Sequence, residues 1–373
     1  MLALAQGGWT ASQVLTELRG RRGARRWSFR YELLDSTNQL IGDLDNVVES
    51  CTVRQNWLAD IKRTAQFAIR DTGEIDFLSD RIKPYVRLGM PPYGDTDWVE
   101  WPQGVFLLST PTRKATDAGA LIRDVEAYDQ CQVYVDDKVS DRYTVDVGAV
   151  YTDAILTLLG SIDLAVTPSV SVLPAAKEWD PGTPKLTIIN SLLNALNYQS
   201  LSFDEDGRAV ICPYTSPADR VPEYTYADDE DSLIVPGVEQ TYDLFSVPNK
   251  WILVVSDPDQ TAIVGEHTNS DPSSPTSTVR RGRTIVDFRT GQDAADQATL
   301  TAQAERLAFE ASQVFENISF DTGMMPIHSG NDVYTLEYDP LQINAKYSEH
   351  SWEMPLRAGS RMRHVARRVV TVG

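Results

Sequence analysis

The sequence predicts a mainly β protein with an α+β insert: two β-barrels or sandwiches, the second with a long packed helix, separated by a small α/β domain. Three observations point there. Period-two alternation of apolar and polar residues fills the first and last thirds of the chain. Helical spacing of aliphatic residues is confined to the middle and to one segment near residue 300. The 373 residues are enough for two or three packed cores, at ~150 residues for a typical domain. The expected units are an N-terminal helix and Arg-rich arm (1–26), a first barrel (27–136), the small α/β domain (137–235) and a second barrel (236–373) carrying helix 292–314.

The first element is a short helix opened by a capping box, Thr10 with Gln13 three residues on, apolar at Val14, Leu15 and Leu18 and ended by Gly20. Arg19, Arg21, Arg22, Arg25 and Arg26 follow as the one dense basic run, read either as a solvated arm or as a docking arm for an acidic neighbour. From residue 27 the period is two: Trp27, Phe29, Tyr31 and Leu33 share a face, and a turn at 35–39 returns the chain through Leu40 and Ile41. Further strands are expected at 47–54, 64–70, 85–90, 99–109 and 120–128. Some seven short strands without a long helix indicate a barrel or sandwich.

Around residue 137 the pattern turns helical. A short helix is expected at 152–159, and a second opens with Thr183 as N-cap and Pro184 in the first turn. Its Leu186, Ile189, Leu193 and Leu196 form one stripe. A hairpin follows around Asp206-Gly207, a dipeptide suited to a type I′ turn. The carboxylates Asp228, Asp229, Glu230 and Asp231 read as a solvated boundary, since they lack the alternating spacing that wraps a calcium ion. Strands resume at 250–256, 261–266 and 284–289. The segment 267–283, rich in Ser, Thr and Pro, is expected to be an exposed, mobile loop. The longest helix, 292–314, presents Leu300, Ala304, Leu307, Ala311 and Val314 as a narrow stripe, and strands are expected at 316–320, 333–337, 342–350, 351–357 and 362–370.

Composition narrows the function. With 34 Lys and Arg against 53 Asp and Glu, the net charge is −19, which disfavours binding to phosphate backbones or anionic lipids. Cys51, Cys131 and Cys212 lie far apart without flanking His, so neither a zinc knuckle nor a disulfide framework is expected, and synthesis in a reducing cytoplasm fits the odd count. The N-terminus lacks the basic start and apolar run of a signal peptide, and no stretch is apolar enough to suggest a membrane anchor.

Catalytic motifs are missing. GxSxG, GxxxxGK[ST], strand-linked GxGxxG and HExxH are not found, so the expected function is non-enzymatic and no cofactor is expected. His267, His328, His350 and His364 are scattered, with His328 and His350 read as surface or strand-end residues. Glu100, flanked by Trp98 and Trp101, is the single candidate for a sugar cleft, against the reading of a strand whose aromatics pack across a sheet.

Element order carries a resemblance. Residues 98–137, with the Gly104-Val105-Phe106 strand followed by a second strand ending at Asp124 to Asp129, resemble the end of the first barrel in the baseplate-hub, or tail-tip hub, proteins of tailed bacteriophages (minor tail proteins). The last third is similar to that family's second barrel, with an exposed loop, an Ala-rich helix, the turn Gly330-Asn331-Asp332-Val333 and a basic closing run. The resemblance spans about residues 25 to 372 and rests on element order rather than an invariant motif; the Arg-rich arm is not required by it. It implies tail-tube-like barrels and a virion structural protein at the tail tip. It further implies a homotrimer whose six similar domains join a sixfold tail tube to threefold tip components and form part of the DNA ejection channel. The implied partners are tail tube and distal tail proteins above, tip, fibre or tape-measure proteins adjacent, and genomic DNA passing through the lumen without sequence recognition. No appended lysozyme, peptidase or fibre domain is visible, so a lytic or receptor-binding role is not expected of this polypeptide. Candidate partner contacts are Arg21, Arg22, Arg25 and Arg26 in the arm and Asp271, Arg280, Arg281 and Arg283 in or beside the loop. The competing readings are a carbohydrate-binding or carbohydrate-cleaving β-protein and a sixfold distal tail protein of the same particle.

Overall fold

The computed structural model describes residues 1–47, 51–109, 112–115, 121–242, 245–255, 263–313 and 316–369. Expected strand positions 48–50, 120, 256, 261, 262 and 370 and the expected helix end at Val314 lie outside them.

The first part runs α1 (Ala11–Leu18), β1 (Trp27–Leu34), β2 (Leu40–Asp43), β3 (Cys51–Asn56), β4 (Arg63–Arg70), β5 (Arg81–Gly89), β6 (Trp98–Pro102), β7 (Phe106–Leu108), β8 (Thr112–Ala115) and β9 (Leu121–Tyr128). The middle contains α2 (Cys131–Asp136), β10 (Tyr143–Val145), α3 (Tyr151–Leu159), β11 (Leu164–Val166), β12 (Lys177–Trp179), α4 (Lys185–Ala195), β13 (Ser202–Phe203) and β14 (Ala209–Ile211). The rest comprises β15 (Tyr224–Ala227), β16 (Ile234–Tyr242), β17 (Lys250–Val254), β18 (Val264–Thr268), α5 (Thr278–Arg281), β19 (Val286–Arg289), α6 (Gln297–Gln313), β20 (Glu316–Gly323), β21 (Val333–Tyr338), β22 (Ile343–Leu356) and β23 (Arg361–Arg368).

Alternation sets the core. In β4, Arg63, Ala65, Phe67 and Ile69 are buried while Gln66 and Arg70 are exposed. Strands of this kind from both ends of the chain join one fifteen-stranded sheet, whose main path is β16-β20-β23-β22-β3-β4-β9-β7-β5-β1-β2, with β15, β21, β6 and β8 pairing off that path. The join is the fourteen-residue β22, which pairs with β21 and β23 and then with β3, from Ser351 opposite Asn56 to Leu356 opposite Cys51. The mainly β class with an α/β insert is therefore present, with the two strand-rich regions sharing one sheet. Among the described residues the pairing does not close into a barrel, and β2 and β16 each pair on one side only.

The middle packs around its own core, with Tyr151, Ile155, Ile188, Ile189, Leu192 and Leu193 all buried. Its β13–β14 hairpin turns at Gly207, at φ +84°, as the Asp-Gly signal predicts. That hairpin is also the seam to the first part. The buried Arg63 guanidinium donates to Glu205 at 2.6 Å, Gln130 Nε2 donates to the Gly207 carbonyl at 2.7 Å, and Lys83 donates to Asp206 at 2.8 Å. A third, small core lies between α6 and the sheet β18-β17-β19, lined by Leu253, Val255, Ala294, Leu300 and Ala304. A Cβ on Gly265 would stand 2.6 Å from the Leu300 carbonyl oxygen, so the helix reaches this sheet only over a glycine.

Several expectations differ in detail, and the strands expected at 342–350 and 351–357 are the single β22. The strand expected at 99–109 is two, β6 and β7, because Gly104 breaks it at φ +120°. Helix α4 starts at Lys185 with Pro184 as the cap residue, and Thr183 donates its hydroxyl to the Asp180 carbonyl instead of capping. Helix α6 starts at Gln297 rather than residue 292, with the Asp296 carboxylate accepting from Thr299 N at 2.7 Å as its side-chain cap.

Candidate functional site

The capping box that opens α1 forms, Thr10 Oγ1 accepting from Gln13 N, and it lays Val14 and Leu18 fully buried into the main core. The Arg-rich run then turns back along the sheet. Arg21 pairs with Asp231, which brings the basic arm onto the acidic run, and Arg19 stands 3.9 Å from the same carboxylate. Asp228, Asp229 and Glu230 remain exposed. Arg22 lies 3.4 Å from Glu17, and Arg26 donates to the Tyr93 carbonyl and stacks over Trp98 at 4.5 Å. Of the four candidate arginines in this run, Arg25 alone makes no ion pair or hydrogen bond among the described residues. It lines a groove of about 620 Å³ with Leu233, Gly323 and Arg361.

The second candidate group is knit, not loose. The buried Asn249 side chain donates to the carbonyls of Thr276 and Arg283, and its Oδ1 accepts from Ile285 N at 2.7 Å. Asn269 donates to Ser274 and Thr276, and Ser277 caps α5. The expected mobile loop is thus corrected: Ser, Thr and Asn side chains satisfy the turn's own backbone, and Asn269, Ser274, Thr276 and Ser277 are buried. Asp271 accepts from the hydroxyl and N–H of Ser273, contacts that hold its carboxyl below the usual range. Arg280, Arg281 and Arg283 donate to the carbonyls of Ser273, Val247 and Phe245. The structure does not join the two candidate groups through any contact among the described residues.

The sugar-cleft geometry is not formed. Trp101 is fully buried and donates its indole N–H to the Ala3 carbonyl at 2.9 Å. Glu100 is engaged by Arg30 at 3.2 Å and Arg87 at 3.5 Å, and the Trp98 face is covered by Arg26 and Arg87.

The histidines are the main correction. His328 and His364 are buried at 1% and 0% exposure, and with the fully enclosed Glu349 they form one cluster whose donor atoms lie within 4.8 Å of one another. Burial works to lower the His328 pKa, but the Glu349 and Asp332 carboxylates outweigh it and raise it to about 9. His364 is held below the usual range by burial. His350, expected at the surface, is half-buried with neither ring nitrogen hydrogen-bonded, and burial pushes its pKa down to about 3. Sequence spacing hides this cluster, but alternation could have found His364, which shares the inward face of β23 with Met362 and Ala366 while Arg361 and Arg363 point out.

No protein-family model matches the chain, and no curated protein matches it. Solved structures do. A tail protein from Neisseria meningitidis MC58 superposes with a TM-score of 0.63 at 12% identity, over 92% of this chain and 98% of that one. The fold is that of tail proteins. The 43 kDa tail protein of prophage MuSo2 from Shewanella oneidensis aligns with a TM-score of 0.57 at 10% identity, over 91% and 98% of the two chains. Prophage tail protein gp18 from Listeria monocytogenes EGD-e aligns with a TM-score of 0.55 at 12% identity, over 91% and 94%. The resemblance read from element order is borne out at the level of fold. Among the described residues no helix is long and apolar enough to cross a membrane.

Proposed function

We propose that the chain is a non-enzymatic structural protein of a phage tail, acting as a trimeric hub at the tail tip. The observation that carries this reading is the fold match to a tail protein across 92% of this chain and 98% of the other. Two features of the surface suit assembly. Among the described residues the sheet ends at β2 and β16 are unpaired on one side, and β2 exposes Leu40 and Ile41, so main-chain donors and apolar side chains are both available to a neighbour. The face of β17–β19 turned away from α6 carries Ile252, Val254, Val264, Val286 and Phe288, with Phe288 58% exposed.

In this reading three copies form a ring that joins the sixfold tube to threefold tip components, with tail tube and distal tail proteins above and tip, fibre or tape-measure proteins adjacent. A charge of −19 per copy lets genomic DNA pass without adhering. Arg25, unpaired in its groove, is the arm residue we assign to an acidic neighbour. Arg280, Arg281, Arg283 and Asp271 shape the 267–283 loop as a contact surface. Light scattering and negative-stain class averages test the assembly. Three chains of 41.5 kDa give about 125 kDa and sixfold-looking end views, and Phe288→Asp returns the mass to a monomer. A sixfold ring would transfer the chain to the distal tail position, and a glycan-binding monomer would contradict the reading.

A further inference from the structure

The core beside β20, β22 and β23 holds a buried polar cluster away from the surfaces assigned above to assembly. β22 supplies Glu349, β23 supplies His364, and the turn before β21 supplies His328 and Asp332; all four are at most 1% exposed. Glu349 Oε1 lies 2.5 Å from His364 Nδ1, and its Oε2 lies 2.5 Å from His328 Nδ1. Asp332 Oδ2 stands 3.0 Å from the same His328 nitrogen. Both rings turn Nδ1 toward one carboxylate and Nε2 toward a hydroxyl, that of Tyr226 at 2.6 Å for His328 and that of Thr322 at 2.9 Å for His364. The convergence depends on a bulge. Between Glu349 opposite Ala366 and Ser351 opposite Val365 the register shifts, so Glu349 and Trp352, three residues apart, both face inward.

A count of hydrogens shows what the cluster lacks. The single hydroxyl hydrogen of Thr322 is committed to the Gly323 carbonyl at 2.8 Å, so Thr322 accepts from His364 and the ring hydrogen sits on Nε2. A neutral His364 therefore points a bare Nδ1 lone pair at a carboxylate oxygen 2.5 Å away, a repulsive contact unless a cation stands between. His328 can fill its own contact while neutral, with Nδ1–H toward Glu349 and Nε2 accepting from the Tyr226 hydroxyl, so the contact left without a hydrogen is that of His364. The Tyr334 hydroxyl is, besides, buried with no hydrogen-bond partner.

We propose that His328, Glu349 and His364 hold a buried divalent transition-metal ion of the zinc class, with both Glu349 oxygens among the donors, while Asp332, held by the Met1 ammonium and the Ser329 N–H, stands beside His328. Two imidazole nitrogens and two carboxylate oxygens are a donor set suited to zinc. Bonds of 2.0–2.1 Å set tetrahedral donors about 3.3 Å apart, so the two 2.5 Å contacts part by about 0.8 Å on loading. The Tyr226 and Thr322 hydroxyls orient the rings from behind. With every donor enclosed, the ion is of the closed, structural kind and ties β22, β23 and the turn before β21 together.

The test is metal analysis of the full chain, expressed with zinc in the medium and dialysed against metal-free buffer. Inductively coupled plasma mass spectrometry is expected to find about one zinc per chain; less than about a tenth of an equivalent of any transition metal would overturn the site. Glu349→Gln and His364→Gln lose the ion, and retention of a full equivalent by both would overturn the assignment. Thr322→Val keeps all four donors and the core volume should these two variants fail to fold. Its zinc affinity, read by competition with a chelating dye, falls about 10- to 100-fold. An unchanged affinity would contradict the arrangement. Cobalt supplied alone during refolding of the wild-type chain gives a visible absorption band of four-coordinate geometry, and a colourless protein would count against it.

Discussion

The two halves of the main sheet follow the same alternation and bury different chemistry. In the first half Phe67 stands edge-on to Tyr31 and to Phe106, at centroid distances of 6.3 and 6.2 Å, among aliphatic side chains. In the second half Phe320 stacks on His364 at 4.9 Å, Tyr226 stacks on His328 at 6.0 Å, and Glu349 lies between the two imidazoles. Glu316, also fully buried, accepts from the Tyr347 hydroxyl and from Arg368. Period-two patterning decides which face turns inward in both halves, whereas the inward groups of the second half need partners that only the folded sheet supplies.

The largest effects should come from the two core centres. Phe67→Ala costs about 3–5 kcal/mol through a cavity, and Glu349→Ala costs about 3–5 kcal/mol by leaving buried cationic groups without their acid. Urea titrations check both, and only the Glu349 loss should change when a chelator is present during refolding. Equal responses to chelator would erase the contrast between the halves. Glu205→Gln, at the seam between the insert and the first half, should cost about 2 kcal/mol, because Arg63 keeps a neutral acceptor in place of a carboxylate. Thr10→Ala removes the cap of α1 and should cost about 1 kcal/mol in the same assay.

The smallest effect is a pH dependence outside both halves. His267, in β18, is held below the usual imidazole range by burial, and its Nε2 has no hydrogen-bond partner. The unfolded chain therefore binds this proton more readily, and stability falls as pH drops from about 6.5 toward the lower folded value. Thermal melts of His267→Gln should show a shallower loss between pH 7 and 5 than the parent chain.

Strand identity was legible wherever one face is apolar. The capping box of α1, the hairpin at Gly207 and the 27–34 strand appear where the residues place them. What stayed hidden required distance in sequence. His328, Glu349 and His364 are brought together by β22, β23 and a turn, without a shared motif. Ser, Thr and Pro in 267–283 resemble a loose loop in composition, yet its Ser and Thr hydroxyls, with Asn249 and Asn269, are the donors and acceptors that knit it. Trp98, Glu100 and Trp101 alternate across β6, which sends Trp101 into the core and leaves Glu100 to Arg30 and Arg87. The basic arm and the acidic run, 210 residues apart for Arg21 and Asp231, could be matched only by charge.

The most direct test of the proposed tail role is deletion of the gene from the genome that encodes it, with complementation in trans and electron microscopy of the particles produced. The account predicts that complete infectious tails are lost and that the wild-type copy restores them. Normal tails and an unchanged titre in the deletion would contradict it.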